Sequence, residues 1–310
     1  MEKITTKWQG EEVEYYSSNT IKQKDRKEAK FARVRVLVRD WENVELKLRR
    51  LLTEKYSKEA YTCLLMSASA IRIGNEDSAD GYITKVKGKE GEFVQTFGAT
   101  TLKKEHISFE DGKLILDFVG KKVVEQYIVI TDPVLVEYGK KFYDESETDL
   151  WLNISAGDVQ KFIRTKINRK LTIKDFRTFA ANCKCFLTYK YEISPRELPI
   201  SKKELTAEFK KLFEITSDFL GNTPGICKSA YVSHHLFNYI NETRGVHVKQ
   251  KEEEKAAKKL AKEEAWKQMN ADRVTQGLPR INRKRKKKKA QKEETVENVG
   301  GDDVQVQEGI

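Results

Sequence analysis

Tyr231 closes the stretch Gly221–Tyr231, GNTPGICKSAY, and offers a phenol for chemistry. A phenol is a useful nucleophile toward a phosphate only where cations gather around that phosphate and an acid stands at the leaving oxygen. Arginine suits the first task, because its planar fork grips two non-bridging oxygens and never gives up its proton. Two arginines stand in apolar settings: Arg72 in AIRIGNE, after an apolar helical stretch, and Arg177 in KDFRT, at the start of another. Lys121 falls at the tip of a hairpin signal, Gly120-Lys121-Lys122, where a flexible ammonium can enter a groove and hand over a proton. Each also has an ordinary reading: a structural ion pair for either arginine, a solvated tip for the lysine, packing for the tyrosine. Singly, none carries a function.

The elements that must position these side chains are legible as period and punctuation. Val44, Leu48, Leu51 and Leu52 form one helical stripe, and Ala60, Leu64, Leu65, Ala68 and Ile71 a second. Thr100–Phe109, Lys113–Val119 and Val123–Ile130 are short β-branched or aromatic segments. The breaks Glu110-Asp111-Gly112 and Gly120-Lys121-Lys122 divide them, which predicts a small antiparallel sheet of two hairpins. Helices return after Tyr138. Ser155–Asp158 and Thr172–Asp175 are capping signals, the second ahead of Phe176, Phe179, Ala180, Cys183, Phe186 and Leu187. A third helix carries Leu205 to Leu220 and stops at Gly221. Thr223-Pro224 then restarts a helix with Tyr231 about two turns in.

The chain has 310 residues, 59 of them Lys or Arg and 48 Asp or Glu, for a net charge of +11. That surplus argues for a polyanionic partner without choosing among DNA, RNA and anionic lipid. Lys249–Ile310 holds 17 basic and 12 acidic residues, with an unbroken basic run at Arg283–Lys289 and an acidic end. Residues 249–310 read as a solvated helix followed by a disordered charged tail. Arg283–Lys289 matches a nuclear-localisation or nucleic-acid patch, and equally a nonspecific electrostatic tail. No apolar run approaches a membrane span, and the first ten residues lack a signal-peptide core. Cys63, Cys183, Cys185 and Cys227 sit in apolar or helical settings and read as reduced, structural thiols. Cys183-x-Cys185 with His234-His235 lacks the spacing of a common zinc site. His106 reads as structural.

Taken in order, IRIGNE, FGATTLKKEHI…LDFVGKK, LTIKDFRTF and LGNTPGICKSAY resemble the catalytic core of type IB DNA topoisomerases, nearest the small viral and bacterial enzymes. The resemblance covers roughly Lys30–Asn241. It implies an α+β, mainly helical catalytic domain over 30–248, a small antiparallel hairpin sheet and a charged tail. It implies Tyr231 as nucleophile, Arg72, Arg177 and Asn222 around the phosphorus, and Lys121 as general acid. Asn222 stands where poxvirus-type relatives have histidine. The activity implied is relaxation of double-stranded DNA by a monomer at a site of DNA metabolism, without ATP, metal, cofactor or obligate protein partner. Further DNA contacts are expected from Lys174, Thr101 and Lys122. Lys174, in K-x-x-R, separates the pattern from the H-x-x-R common in tyrosine recombinases, the runner-up; a non-catalytic DNA-binding protein is the third reading.

Two departures from the family pattern remain. Residues 1–29 read as a loosely ordered arm in place of a full amino-terminal clamp domain. Asp77–Gln95 reads as an insertion, with Ser78 near the position where relatives carry an aromatic base contact.

Overall fold

The computed structural model describes residues 2–17, 26–83, 91–198 and 201–281. It divides into two compact units, Met1–Val248 and Lys249–Ile310. The first carries every candidate catalytic side chain.

The chain begins with β1 (Glu2–Trp8) and β2 (Glu11–Ser17), an antiparallel hairpin in which Trp8 pairs with Glu11. Gln9 and Gly10, both at positive φ, make the two-residue turn whose twist matches the strands. Residues 2–17 of the stretch expected as a loose arm are thus paired and packed. Trp8, Val13, Tyr15 and Tyr16 are buried, and the Trp8 indole donates to the Ser67 carbonyl at 2.8 Å. The apolar alternation is broken in the sequence because a polar residue, Thr6, is buried with the aromatic ones.

Helices α1 (Arg26–Arg39), α2 (Trp41–Leu51) and α3 (Ser57–Ser69) follow. Helix α3 stops at Ala70 in the left-handed conformation, so Ile71 and Arg72 continue as extended chain. The Asp77–Gln95 region holds a short helix α4 (Glu76–Asp80) and a two-residue pairing of β3 (Tyr82–Ile83) with β4 (Phe93–Val94). Residues 84–90 lie outside the described residues.

Strands β5 (Ile107–Glu110), β6 (Lys113–Gly120) and β7 (Val124–Ile130) form one antiparallel sheet in the order β5-β6-β7, with both expected hairpins. The first strand starts later than its β-branched run suggested, because Gly98–Thr101 forms a tight turn instead. Helix α5 (Pro133–Glu145) packs on β6 and α3. It is capped by Asp132, which accepts from the Val134 and Leu135 amides.

Helix α6 (Ala156–Phe162) runs into a π-helical turn, Ile163–Ile167. Helix α7 (Ile173–Thr188) is the axis of the unit and packs against α1, α3, β2 and the next long helix. Phe176, Phe179, Ala180 and Ala181 on it are wholly buried among Trp41, Leu48 and Leu65. Replacing one such phenylalanine with alanine costs about 3–5 kcal/mol. Its capping box forms as the sequence indicates, with Asp175 accepting from the Thr172 amide at 2.8 Å. The same carboxylate takes both prongs of Arg33 at 2.9 and 3.2 Å, which ties α1 to α7.

Helix α8 (Lys202–Leu220) ends at Gly221 in the left-handed conformation, and the Asn222 amide closes back on Ser217. Helix α9 (Pro224–Ile226) is only one turn, capped by Thr223. It passes into a π-helical turn, Cys227–Tyr231, that ends at the tyrosine. Tyr231 therefore lies at the end of a short wound segment rather than inside a helix that continues. Helix α10 (His234–Thr275) begins three residues later.

Within the second unit that helix runs to Thr275, and Ile281 donates to the Asn270 side chain at 2.8 Å. The expected disordered tail and the Arg283–Lys289 run lie outside the described residues. No helix among the described residues is long and apolar enough to cross a membrane.

Candidate active site

Arg72 is set by an interlock of two glycines. The Arg72 and Ile73 carbonyls accept the Ala99 and Thr100 amides at 2.8 Å each. That pairing is possible because Gly98 has no side chain: a β-carbon there would stand 2.5 Å from the Arg72 carbonyl oxygen and from the Gly74 nitrogen. Gly74 has φ +99° and lies against Thr101 just as closely. IRIG and FGATT are therefore two halves of one device that holds the arginine at a cleft wall.

Arg177 comes from the first turn of α7 and is 5% exposed. Its guanidinium donates to the carbonyls of Ala70, the residue that caps α3, and Leu220, the last residue of α8, while Nε has no hydrogen-bond partner. The guanidinium carbon stands 5.1 Å over the Tyr231 ring. Burial first, and then the Arg72 charge, press its pKa down to about 10, against which the Tyr231 phenol holds it up. The group stays charged at neutral pH, and the mutual influence places both arginines and the phenol in one electrostatic neighbourhood.

Tyr231 is half-buried, its backbone held by Asn182. The Asn182 amide donates to the Tyr231 carbonyl at 2.8 Å and accepts the Ser233 amide at 2.8 Å, so one buried side chain clasps the chain on both sides of the residue between them. Lys30 of α1 donates to the Ala230 carbonyl and has its ammonium 6.0 Å from the Tyr231 ring centre. Sequence reasoning missed both residues. The trace of Asn182 was there, since Asp175, Thr178 and Asn182 follow helical spacing as polar residues beside an apolar stripe. Nothing local marks Lys30.

Asn222 and Lys121 complete the cleft, an opening of about 1260 Å³ lined among others by Arg72, Lys121, Lys122, Asn222 and Tyr231. Both side-chain polar atoms of Asn222 are sealed from solvent without a hydrogen-bond partner. Buried amides rarely stay unpaired, so this side chain is out of the ordinary among buried polar groups. Gln126 of β7 lies against Gly221, where a β-carbon would meet its amide at 2.2 Å, so the β6–β7 hairpin abuts the end of α8. At the hairpin tip Lys121 and Lys122 are exposed, and Lys122 and Val123 take positive φ.

Thr101 and Lys174, two further expected DNA contacts, have opposite settings. Thr101 is buried, and its hydroxyl is engaged with the backbone of Gly98 at 3.0 and 3.3 Å, which leaves it bracing the turn behind Arg72. Lys174 is exposed on α7 but does not line the cleft. His106 accepts the Lys103 amide at 3.0 Å, and burial lowers its pKa, in keeping with a structural role. All four cysteines are buried free thiols.

Residues 17–299 match the family model described as eukaryotic DNA topoisomerase I, catalytic core. Among curated proteins, the chain is 30% identical to the DNA topoisomerase 1B of vaccinia virus (strain Copenhagen) over 154 residues, which cover 48% of the chain and 46% of that protein. It is 28% identical over 152 residues to the DNA topoisomerase 1 of rabbit fibroma virus, covering 47% and 45%. It is 23% identical over 154 residues to the DNA topoisomerase 1B of Acanthamoeba polyphaga mimivirus, covering 46% of each. The chain thus spans about half the length of the curated relatives it matches.

Proposed function

The chain belongs to the eukaryotic DNA topoisomerase I catalytic-core family, and from that membership we propose that it relaxes supercoiled duplex DNA by cutting and resealing one strand through Tyr231. The observation that supports the proposal is that Arg72, Lys121, Asn222 and Tyr231 line one cleft, with the buried Arg177 guanidinium set against the Tyr231 ring. In this reading a backbone phosphate enters between Arg72, Arg177 and Asn222. The Tyr231 oxygen attacks the phosphorus, its proton passing to water, and a 3′-phosphotyrosyl ester forms as the bond to the 5′-oxygen breaks. Lys121 closes over the cleft and gives that oxygen its proton. The cut strand swivels, and the 5′-hydroxyl then attacks the ester and releases the phenol.

The arginines and the amide act on charge that grows in the transition state, where one well-placed donor contributes ~10²–10³-fold in rate. Arg177 is suited to this because its carbonyl partners hold it before the substrate arrives, so little reorganisation remains. Asn222 donates without titrating, so it serves in both the forward and the return step. The ester keeps the energy of the broken bond, so the cycle is proposed to run without ATP. The positive side chains supply the stabilisation that a catalytic metal would.

Relaxation of supercoiled plasmid in EDTA without ATP tests the reading, together with mapping of the covalent DNA adduct to the peptide that contains Tyr231. Relaxation by a Tyr231→Phe chain would overturn the assigned nucleophile. Strand exchange between two cognate sites would place the chain with the recombinases.

A further inference from the structure

We propose that Glu28, His234 and His235 form a binding site for a zinc-class divalent cation, separate from the strand-cutting cleft. Glu28 comes from α1, and the two histidines open α10. Their candidate ligand atoms all lie within 4.8 Å of one another, the one such grouping of three among the described residues. His234 Nε2 already stands 3.3 Å from a Glu28 carboxylate oxygen, and the two imidazoles lie together with ring centres 3.9 Å apart.

The surroundings favour a metal over a plain hydrogen bond. His235 Nε2 is sealed from solvent and has no hydrogen-bond partner. An imidazole nitrogen left so is an uncompensated cost that ligation can remove. Two imidazoles and one carboxylate make a donor set that suits zinc, with the fourth position left to water.

The geometry is close to what ligation needs. Metal–ligand bonds of about 2.0–2.2 Å set tetrahedral ligand atoms about 3.3–3.5 Å apart, so adjustments of about 1 Å close the set. Two of the three ligands have room for that movement: His234 has a side chain 48% exposed, and Glu28 is half-buried. The His235 end is firmer, because its amide donates to the Ser233 hydroxyl at 3.3 Å and that hydroxyl donates to the Tyr16 carbonyl at 3.0 Å. The set is thus one fixed ligand with two that can move toward it. The cysteines of Cys183-x-Cys185, read from the sequence as structural thiols, stand outside the grouping.

The test uses the full untagged chain carrying Tyr231→Phe, without DNA, so its outcome is independent of strand chemistry. The chain is stripped with EDTA, titrated with Co²⁺ as a spectroscopic probe, and the cobalt then displaced with Zn²⁺. The expected result is one ion per chain, bound in the micromolar range or tighter, with a raised melting temperature in zinc. Glu28→Gln and His234→Gln are each expected to weaken binding at least about tenfold while the EDTA-treated chain melts as before. His235→Gln is expected to remove saturable binding; should that chain not fold, the other two variants decide. Absence of saturable binding by Co²⁺ and Zn²⁺, or unchanged affinity in both Glu28→Gln and His234→Gln, overturns the proposal.

Discussion

The two walls of the cleft are built on opposite principles. On the α7 side Arg177 is buried, charged, and fixed by two helix-terminal carbonyls, with Asn182 one face away holding the Tyr231 backbone. On the β6–β7 side Lys121 is exposed at a turn whose next two residues take positive φ. The first wall is made before a substrate arrives. The second is exposed, which suits the proton-donor role proposed for Lys121. The contrast teaches that charge stabilisation and proton delivery make different demands on the same scaffold: one gains from rigidity, the other from reach.

Substitutions can break this contrast, beginning with the proposed nucleophile. Tyr231→Phe is expected to lower strand cleavage by ~10⁶-fold, the scale of removing a nucleophile outright, with the unfolding midpoint little changed. A gel assay for covalent DNA adduct reads the first effect and urea unfolding the second.

Lys121→Ala is expected to lower cleavage by ~10²–10⁴-fold while stability moves by no more than about 0.5 kcal/mol, as at other exposed sites. A strand whose leaving oxygen is replaced by sulfur needs no strong acid, and so should restore most of the rate. Failure of that rescue would deny Lys121 its role as acid.

Arg177→Ala should behave in the opposite way and fail on both counts. Cleavage is expected to drop ~10²–10³-fold, and the sulfur strand should not recover it. The midpoint should fall as well, because the Ala70 and Leu220 carbonyls lose their donor at about 1–3 kcal/mol for each buried group left unpaired. An Arg177→Ala chain as stable as the parent would show that the wall is not preassembled as described.

Asn222→Leu is the subtlest probe, since it should separate stability from function. Removing two buried unpartnered polar atoms is expected to raise the unfolding free energy by about 1 kcal/mol. The same change should slow cleavage by ~10²-fold, the low end of losing a donor to the phosphate. A variant that is stabilised but equally active would place the amide away from the reacting phosphate.

Much of the fold was open to reading because its signals are local. The Thr172–Asp175 box, the Gly221 stop, the Thr223-Pro224 restart and the two hairpins all depend on residues within a turn of one another, and all appear as read. The amino-terminal hairpin was not, since its alternation includes buried Thr6 and its turn is Gln-Gly rather than one of the strongest turn pairs. Thr101 and Lys174 show the same limit at the site: a polar residue near a motif can brace a turn or face solvent, and only packing decides between them.

The sequence by itself determined the chemical inventory and its order, from Arg72 through Lys121, Arg177 and Asn222 to Tyr231, along with the caps and turns that start and stop the elements between them. Tertiary structure alone decided what meets what. It set Arg177 on the carbonyl of Ala70, 107 residues away, and Asn182 on the carbonyl of Tyr231, 49 residues away. It also brought Glu28 to His234. The physical reason is one of range: capping and turn preferences act over a few residues and leave their mark in sequence. The closing of distant segments is driven by nondirectional burial of apolar surface, which specifies that α1, α3, α7 and α8 pack but not which polar groups their packing will bring together.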